Sequence, residues 1–384
     1  MPKIIPKKDP NLSKMKLGSL AEKLKGSLKC LDIYIIKKFL GTFFYCMILV
    51  MAIVVVFDFN EKLDKFIQYE APAKAIILHY YLNFIPYFGV KFSPLFIFIS
   101  VIYFTSKMAS DTEIIAILAS GVSFRRFVRP YMIAATFLAI LTFLLNSYWI
   151  PVANKTRLAF EDQYVKKVST DYARNIQMEI KPGVIMYIEH YETSGQTGHN
   201  FFLEKYDGQH LVSRLTATDI DQVSKYHWRL RNYIKRSFNG MYENISRGAN
   251  LDTIIKVEPS EFSIVKGWSE QLTTPELKTY LDKQRERGVA NIKEYDVEYI
   301  RRFSFPFSCF ILTLIGVSLA SRKVRGGMGL HLGLGLLISF TYILLDTVSG
   351  TFGEGTTIPP VLAVWTPNIL YALIGYLLYR KAPK

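Results

Sequence analysis

The sequence predicts a helical membrane protein of six spans, grouped three and three, with an all-β, jelly-roll-like domain inserted between the groups. Three observations predict it. Half of the 384 residues are hydrophobic and mean hydropathy is +0.17, yet 21% are charged, a mixture that combines membrane helices with a substantial soluble part. Apolar runs of spanning length fall only within 39–150 and 299–384. Between them, 151–298 carries short alternating stretches separated by Gly, Asn, Asp and Pro, the pattern of several strands in a sandwich or jelly roll.

The first 38 residues hold ten lysines against Asp9, Glu22 and Asp32, which reads as a basic cytoplasmic tail and not as a cleaved signal peptide. Residues 39–59 form the first span. The second, 76–104, contains Pro86, Lys91 and Pro94, so one long kinked helix is expected, its first part projecting beyond the bilayer. A short segment, 110–121, follows. Residues 127–150 give the third span and 303–320, 330–348 and 361–379 the last three. Strands are expected at 184–188, 201–206, 211–220, 228–234 and 254–257. A helix then starts at Thr273 or Thr274, with Pro275 in its first turn and Leu277, Tyr280, Leu281 and Gln284 along it.

Charge sets the orientation. The net +15 lies beside the apolar runs: in the tail, at Arg125, Arg126 and Arg129, at Arg322, Lys323 and Arg325, and at Arg380, Lys381 and Lys384. Positive residues so placed put both termini in the cytoplasm and 151–298 outside it, and give no sign of a nucleic-acid surface. Cys30, Cys46 and Cys309 lie in or before apolar runs and form no disulfide framework or metal spacing.

Segment 110–121, SDTEIIAILASG, is too short to cross a bilayer, which takes about 20 residues. Ser110 and Glu113 have the spacing of a capping box. Gly121 suits a left-handed helix end. Ile114, Ile117, Leu118 and Gly121 share one helical face, which either lies on lipid or docks into a cytosolic partner.

Catalytic signals are missing. The sequence has no P-loop, no G-x-S-x-G, no HExxH and no dinucleotide loop, and it calls for no metal or cofactor. Ionisable residues near the outer span ends are Asp58, Lys91 and Asp346, each open to a capping or snorkelling role. Lys62 and Lys65, three residues apart, share a face if the first helix continues, and there they either sit in a solvated face with Glu61 and Asp64 or meet an anionic headgroup. Gly329 and Gly333 form a small-xxx-small pair at the start of span five, suited to close helix approach.

Leu31-Asp32-x-Tyr34, Glu113 with Ala119-Ser120-Gly121, Pro151, Tyr342 with Asp346 and Gly350, and Pro359-Pro360 stand in an order that resembles the LptF/LptG family of lipopolysaccharide-export permeases. The LDxY and YxxxD elements lean toward LptG. The resemblance implies a permease that is not itself an enzyme, working with a cytoplasmic ABC ATPase dimer, a homologous second permease subunit and periplasmic jelly-roll bridge proteins in the bacterial inner membrane. It implies that 110–121 is the coupling helix, with Ser110, Glu113, Ile117 and Gly121 serving ATPase contact. It implies lateral gates at spans one and five, with Gly329, Gly333 and Asp346 in gating or packing, and lipopolysaccharide phosphates met by Lys62, Lys65, Lys91 and Arg157. One departure is Asp58, where some members carry a lysine. The alternatives are a membrane-anchored receptor with an outer sensor domain or a lipid-modifying membrane protein.

Overall fold

The computed structural model describes residues 30–165, 172–192, 195–258, 268–286, 292–322, 327–355 and 358–382. Most of the basic tail, with Lys323, Arg325 and Lys384, lies outside the described residues. Five helices among the described residues are long and apolar enough to cross a membrane, and Lys293–Ser304 with Phe307–Ala320, bent by 49°, brings the number to six when the pair is taken as one span. That bend sits at Phe305-Pro306, where proline has no amide to continue the ladder.

Span one, Cys30–Gln68, has 39 residues and so runs for about 58 Å. Its apolar stretch needs only about 30 Å of hydrocarbon, and its end carries Lys62 and Lys65 past the bilayer on one helix. Span two is kinked as its prolines require. A π-helical turn, Ile76–Tyr81, leads into Leu82–Lys91, the chain breaks at Phe92, and Pro94 occupies the first turn of Ser93–Ser110. Span three runs from Phe124 to Tyr164 over 41 residues, with a π-helical insert at Leu145–Trp149. Pro151 therefore does not end it. The proline stands in the first turn after the π-helical insert, where its missing N–H is tolerated, and residues 151–164 continue the helix before the first strand.

The elbow differs from expectation. The helix of span two continues through Ser110, so the serine backbone is helical and cannot act as an N-cap. Thr112, in the left-handed region at φ 61°, precedes a seven-residue helix, Glu113–Ala119, and no capping box forms. Gly121 does take the left-handed conformation, at φ 87°. The apolar face turns inward: Ile114 is buried and Ile117 and Leu118 pack on the bundle core. Ile115 and Ala116 face out.

The bundle core joins Phe39 and Phe43 of span one, Phe96, Phe98, Val101 and Ile102 of span two, Tyr131 and Leu138 of span three, and Leu312 and Ile315 of span four. Its feet are tied by charge: Asp32, 2% exposed, accepts Arg126 Nη1 and Nη2 at 2.7 and 2.6 Å. Span five, Gly327–Gly355, approaches span two at Gly335, where a Cβ would lie 2.5 Å from Ile102 and 3.1 Å from Phe98. Gly329 and Gly333 instead face open space in this chain, on a different side of the helix from Gly335.

Six strands, Tyr172–Lys181 (β1), Val184–Glu192 (β2), Thr197–Asp207 (β3), His210–Ser224 (β4), His227–Asn239 (β5) and Tyr242–Ile254 (β6), form one antiparallel sheet in chain order. This is the inserted β domain. Register pairs Ile188 with Phe201, Phe201 with Ala217 and Ile220 with Leu230, so one face collects the core and Trp228 closes it by donating to the Val257 carbonyl at 3.3 Å. Phe201 and Trp228 are buried on that face. Tyr187 stacks on Phe202 and Tyr206 bonds Glu204. The helix after the sheet is Thr274–Glu286, with Thr273 N and Oγ1 both 2.8 Å from Glu276 Oε2, and it buries Leu277, Leu281 and Gln284.

Gly335→Leu is expected to lower the apparent unfolding temperature of the purified chain, at an overpacking cost of about 1–3 kcal/mol. Gly333→Leu should not. Equal shifts in a thermal-denaturation assay would show that the close approach at Gly335 carries no stability.

Candidate functional site

Polar chemistry concentrates at the outer ends of the spans, in two places. The first is a clasp between spans one and two. Lys62 Nζ lies 2.8 Å from Asp58 Oδ1, one helical turn before it. Tyr80 donates to Asp58 Oδ2 at 3.0 Å, Tyr81 to the same oxygen at 3.2 Å, and Lys62 also donates to the Tyr80 hydroxyl. Both tyrosines belong to the π-helical turn, a winding that recurs at functional sites. Tyr80 is fully buried. Lys65, in contrast, is exposed, and none of the ion pairs found among the described residues includes it.

The second place is a cavity of about 210 Å³ where spans two to five meet the segment leaving the β domain. Lys91, Asn154, Glu270, Arg301 and Asp346 line it together with Tyr87. Arg301 Nε is 3.7 Å from Asp346 Oδ2. Glu270 accepts from Tyr87 at 3.3 Å and from Asn154 at 3.5 Å. Burial, reinforced by the nearby Glu298 carboxylate, raises the Glu270 pKa above the ordinary carboxylate range, against the opposing pull of Tyr87, Lys91 and Arg157. Lys91 makes no ion pair among the described residues and packs its amine 5.6 Å from the Tyr87 ring.

Beside the cavity, Arg302 is 2% exposed and fully engaged. It pairs with Glu298 at 2.9 Å and donates to the carbonyls of Leu272 at 2.7 Å and Ser269 at 3.0 Å, and to Thr274 Oγ1 at 3.2 Å. The route out of the β domain is thereby fastened to the foot of span four.

The expected site residues divide clearly. Lys62, Lys91 and Asp346 stand at the two outer polar places. Arg157 does not present itself to a ligand: it is buried, bound to Glu161 at 3.0 Å and Asn154 at 3.2 Å, and stacked 4.5 Å over Tyr87. Its charge is already compensated. Ser110, Glu113, Ile117 and Gly121 gather at the elbow, with Ser110 ending the preceding helix and Ile117 facing the core. Gly329 and Gly333 lie apart from all of these. Sequence reasoning missed Tyr80, Tyr81, Glu270 and Arg301. The Tyr80-Tyr81 doublet and the Arg301-Arg302 doublet are their only local signals, and neither names a partner.

A bundle of membrane-length helices with an inserted six-stranded sheet defines a multi-span membrane protein with a β domain. The sequence profile of the lipopolysaccharide export system permease LptF/LptG matches residues 33–381, and the chain belongs to that family. It is therefore a multi-pass inner-membrane permease of lipopolysaccharide export, a member of a complex with other Lpt proteins. No individual curated protein matches the chain.

Tyr80→Phe removes a donor to Asp58 and should cost about 1–3 kcal/mol, read as a lower apparent unfolding temperature, whereas Lys65→Ala should leave it unchanged. An unshifted Tyr80→Phe variant would mean the clasp is not a stabilising contact. Glu270 supplies a pH test. Its folded-state pKa is raised, so its contribution to stability is complete below the ordinary carboxylate range and is lost as pH rises through its raised value. Glu270→Gln should then be more stable than wild type at neutral pH and gain nothing at acid pH, and a difference that does not change with pH would contradict the assignment.

Proposed function

We propose that this chain is one of two homologous permease subunits in an ABC-type exporter, on the LptG-like side. A separate cytoplasmic ATPase dimer powers it, lipopolysaccharide enters from the outer leaflet of the inner membrane, and periplasmic jelly-roll bridge proteins receive the lipid. Both termini lie in the cytoplasm in this reading, which rests on the basic ends of spans two to six opposite the β domain.

One observation carries the two-subunit reading. Only 17% of the apolar window of span one and 22% of that of span five are buried within this chain, against 72% for span two. The open faces of spans one and five, including Gly329 and Gly333, suit a second subunit across a lipid-filled cavity. Lys65 is free to meet a phosphate there, while Lys62 would have to leave Asp58 to do so. Acyl chains would pass over the apolar face of the sheet, with Ile188, Phe201 and Leu230, which is closed off in this chain and would have to be uncovered first. At the other end, Glu113 and the outward Ile115 and Ala116 form the face offered to the ATPase, since Ile117 is already used inside.

Purification from membranes in a gentle detergent should recover an ATPase and a second permease with this chain, and recovery of neither would end the transporter-subunit reading. Ile115→Asp is expected to reduce ATPase recovery severalfold with insertion intact, and Glu113→Ala to do so more weakly. Wild-type recovery in both would move the docking face elsewhere. Lys65→Glu should reduce lipopolysaccharide photo-crosslinking to span one severalfold by turning attraction into repulsion. Unchanged crosslinking would leave Lys65 as a solvated charge.

A further inference from the structure

At the end of the bundle remote from the β domain, spans three and six flank a groove of about 630 Å³, floored by span four. Its lining changes character along its length. Arg125, Val128, Arg129 and Met132 fall at i, i+3, i+4 and i+7 on span three, so they form one stripe, cationic for its first turn and apolar after it. Leu314, at the middle of Phe307–Ala320, and Tyr379, near the end of Pro360–Lys381, supply the facing walls. The stripe spans about 10 Å along the helix, enough to run from a headgroup into the acyl region.

The charges at the mouth are not equivalent. Arg126 is held by Asp32 in a two-bond pair, but Arg125 and Arg129 are exposed and form no ion pair among the described residues. Span three begins beside them: Ser123 caps it, its Oγ accepting Arg126 N at 3.4 Å, and the positive end of a 21-residue helix adds to the local potential. The groove reaches Leu314, six residues before the end of span four, so it runs about 9 Å inward from the headgroup end.

We infer that this groove is a binding site for an anionic phospholipid of the leaflet opposite the β domain, with its phosphodiester between Arg125 and Arg129 and one acyl chain along Val128, Met132 and Leu314. Basic pockets between spans recognise anionic headgroups in this way. The site is separate from the polar places at the outer ends and from the gate faces of spans one and five.

The test is native mass spectrometry of the full-length chain in neutral detergent, titrated with phosphatidylglycerol or with phosphatidylcholine of the same acyl chains. Wild type should retain phosphatidylglycerol on the order of tenfold better. Arg125→Gln with Arg129→Gln should bring retention down to the phosphatidylcholine level, and Met132→Trp, which fills the apolar wall with both arginines intact, should reduce retention of both lipids. Lys65→Gln, at the opposite membrane face, should change neither. Wild-type phosphatidylglycerol retention in the double arginine variant overturns the site. So does full competition by inorganic phosphate, which would mean an anion site without a lipid. Loss of ATPase recovery in the double variant with lipid retention unchanged would make the arginines a protein contact instead.

Discussion

The β domain is inserted between spans three and four, so anything it does to the bundle, or the bundle to it, passes through two chain crossings. Arg302 governs one of them. Buried and donating to two backbone carbonyls and a hydroxyl of segment 269–274 while paired with Glu298, it fixes where the chain re-enters the membrane. Removing a buried charge that satisfies three acceptors leaves those acceptors stranded, which costs far more than the pair itself contributes. The other crossing is the unbroken helix from span three through Tyr164, whose residue Asn154 reaches Glu270 at the same junction. Both crossings therefore meet at one polar knot, and a tilt of span four relative to span three would be felt there first.

Elsewhere, polar contacts tie span one to its neighbours near its two ends. Asp32 with Arg126 ties spans one and three at one end, and Asp58, Lys62, Tyr80 and Tyr81 tie spans one and two at the other. Between these points, apart from hydrogen bonds such as Thr105–Tyr131, Thr341–Tyr371 and Tyr342–Asn368, contact depends on shape, because lipid tails are as apolar as the side chains they replace and provide no hydrophobic drive between helices. Gly335 shows where shape matters inside this chain, and Gly316 repeats it, with a Cβ there lying 2.8 Å from Val101. The same logic explains why Gly329 and Gly333 read as a packing motif and yet touch nothing here: small residues state that a close approach is possible, not which helix makes it.

Much of the fold was legible because it rests on strong, local signals. Six apolar runs, basic flanks and a break in hydropathy at the inserted domain are properties of composition, and β2 to β5 announced themselves by alternation. β1 and β6 did not. β6, Tyr242–Ile254, is exposed along nearly its whole length, so no buried face imposes a period of two on its sequence. The helix of span three runs on past Pro151 to Tyr164, which was not legible because a π-helical turn just before the proline cannot be read from residue types. The capping box failed for a related reason: Ser110 and Glu113 have the right spacing, but the preceding helix claims the serine first. Of the residues expected at a site, Lys62, Lys91 and Asp346 drew notice because charge near a membrane is conspicuous, and they lie at the two polar places near the β domain. Arg157 was conspicuous too, and only three-dimensional contacts show it already satisfied.

That difference between a visible charge and an available one bears on the gate proposed at span one. An apolar seam alone would not hold span one against span two more tightly than lipid does, so the orientation of its outer end falls to the Asp58 clasp. The clasp is built from one carboxylate that accepts from an ammonium and two phenols, of which Tyr80 is fully buried and Lys62 is the partly exposed member. Lys62, as the partly exposed member, is the one an outside group can reach. An anionic group near Lys62 would draw off one donor yet leave the two tyrosines in place. Span one can thus stay attached to span two while its charge is re-partnered, a property that a purely apolar seam, or a single deeply buried ion pair, would not have.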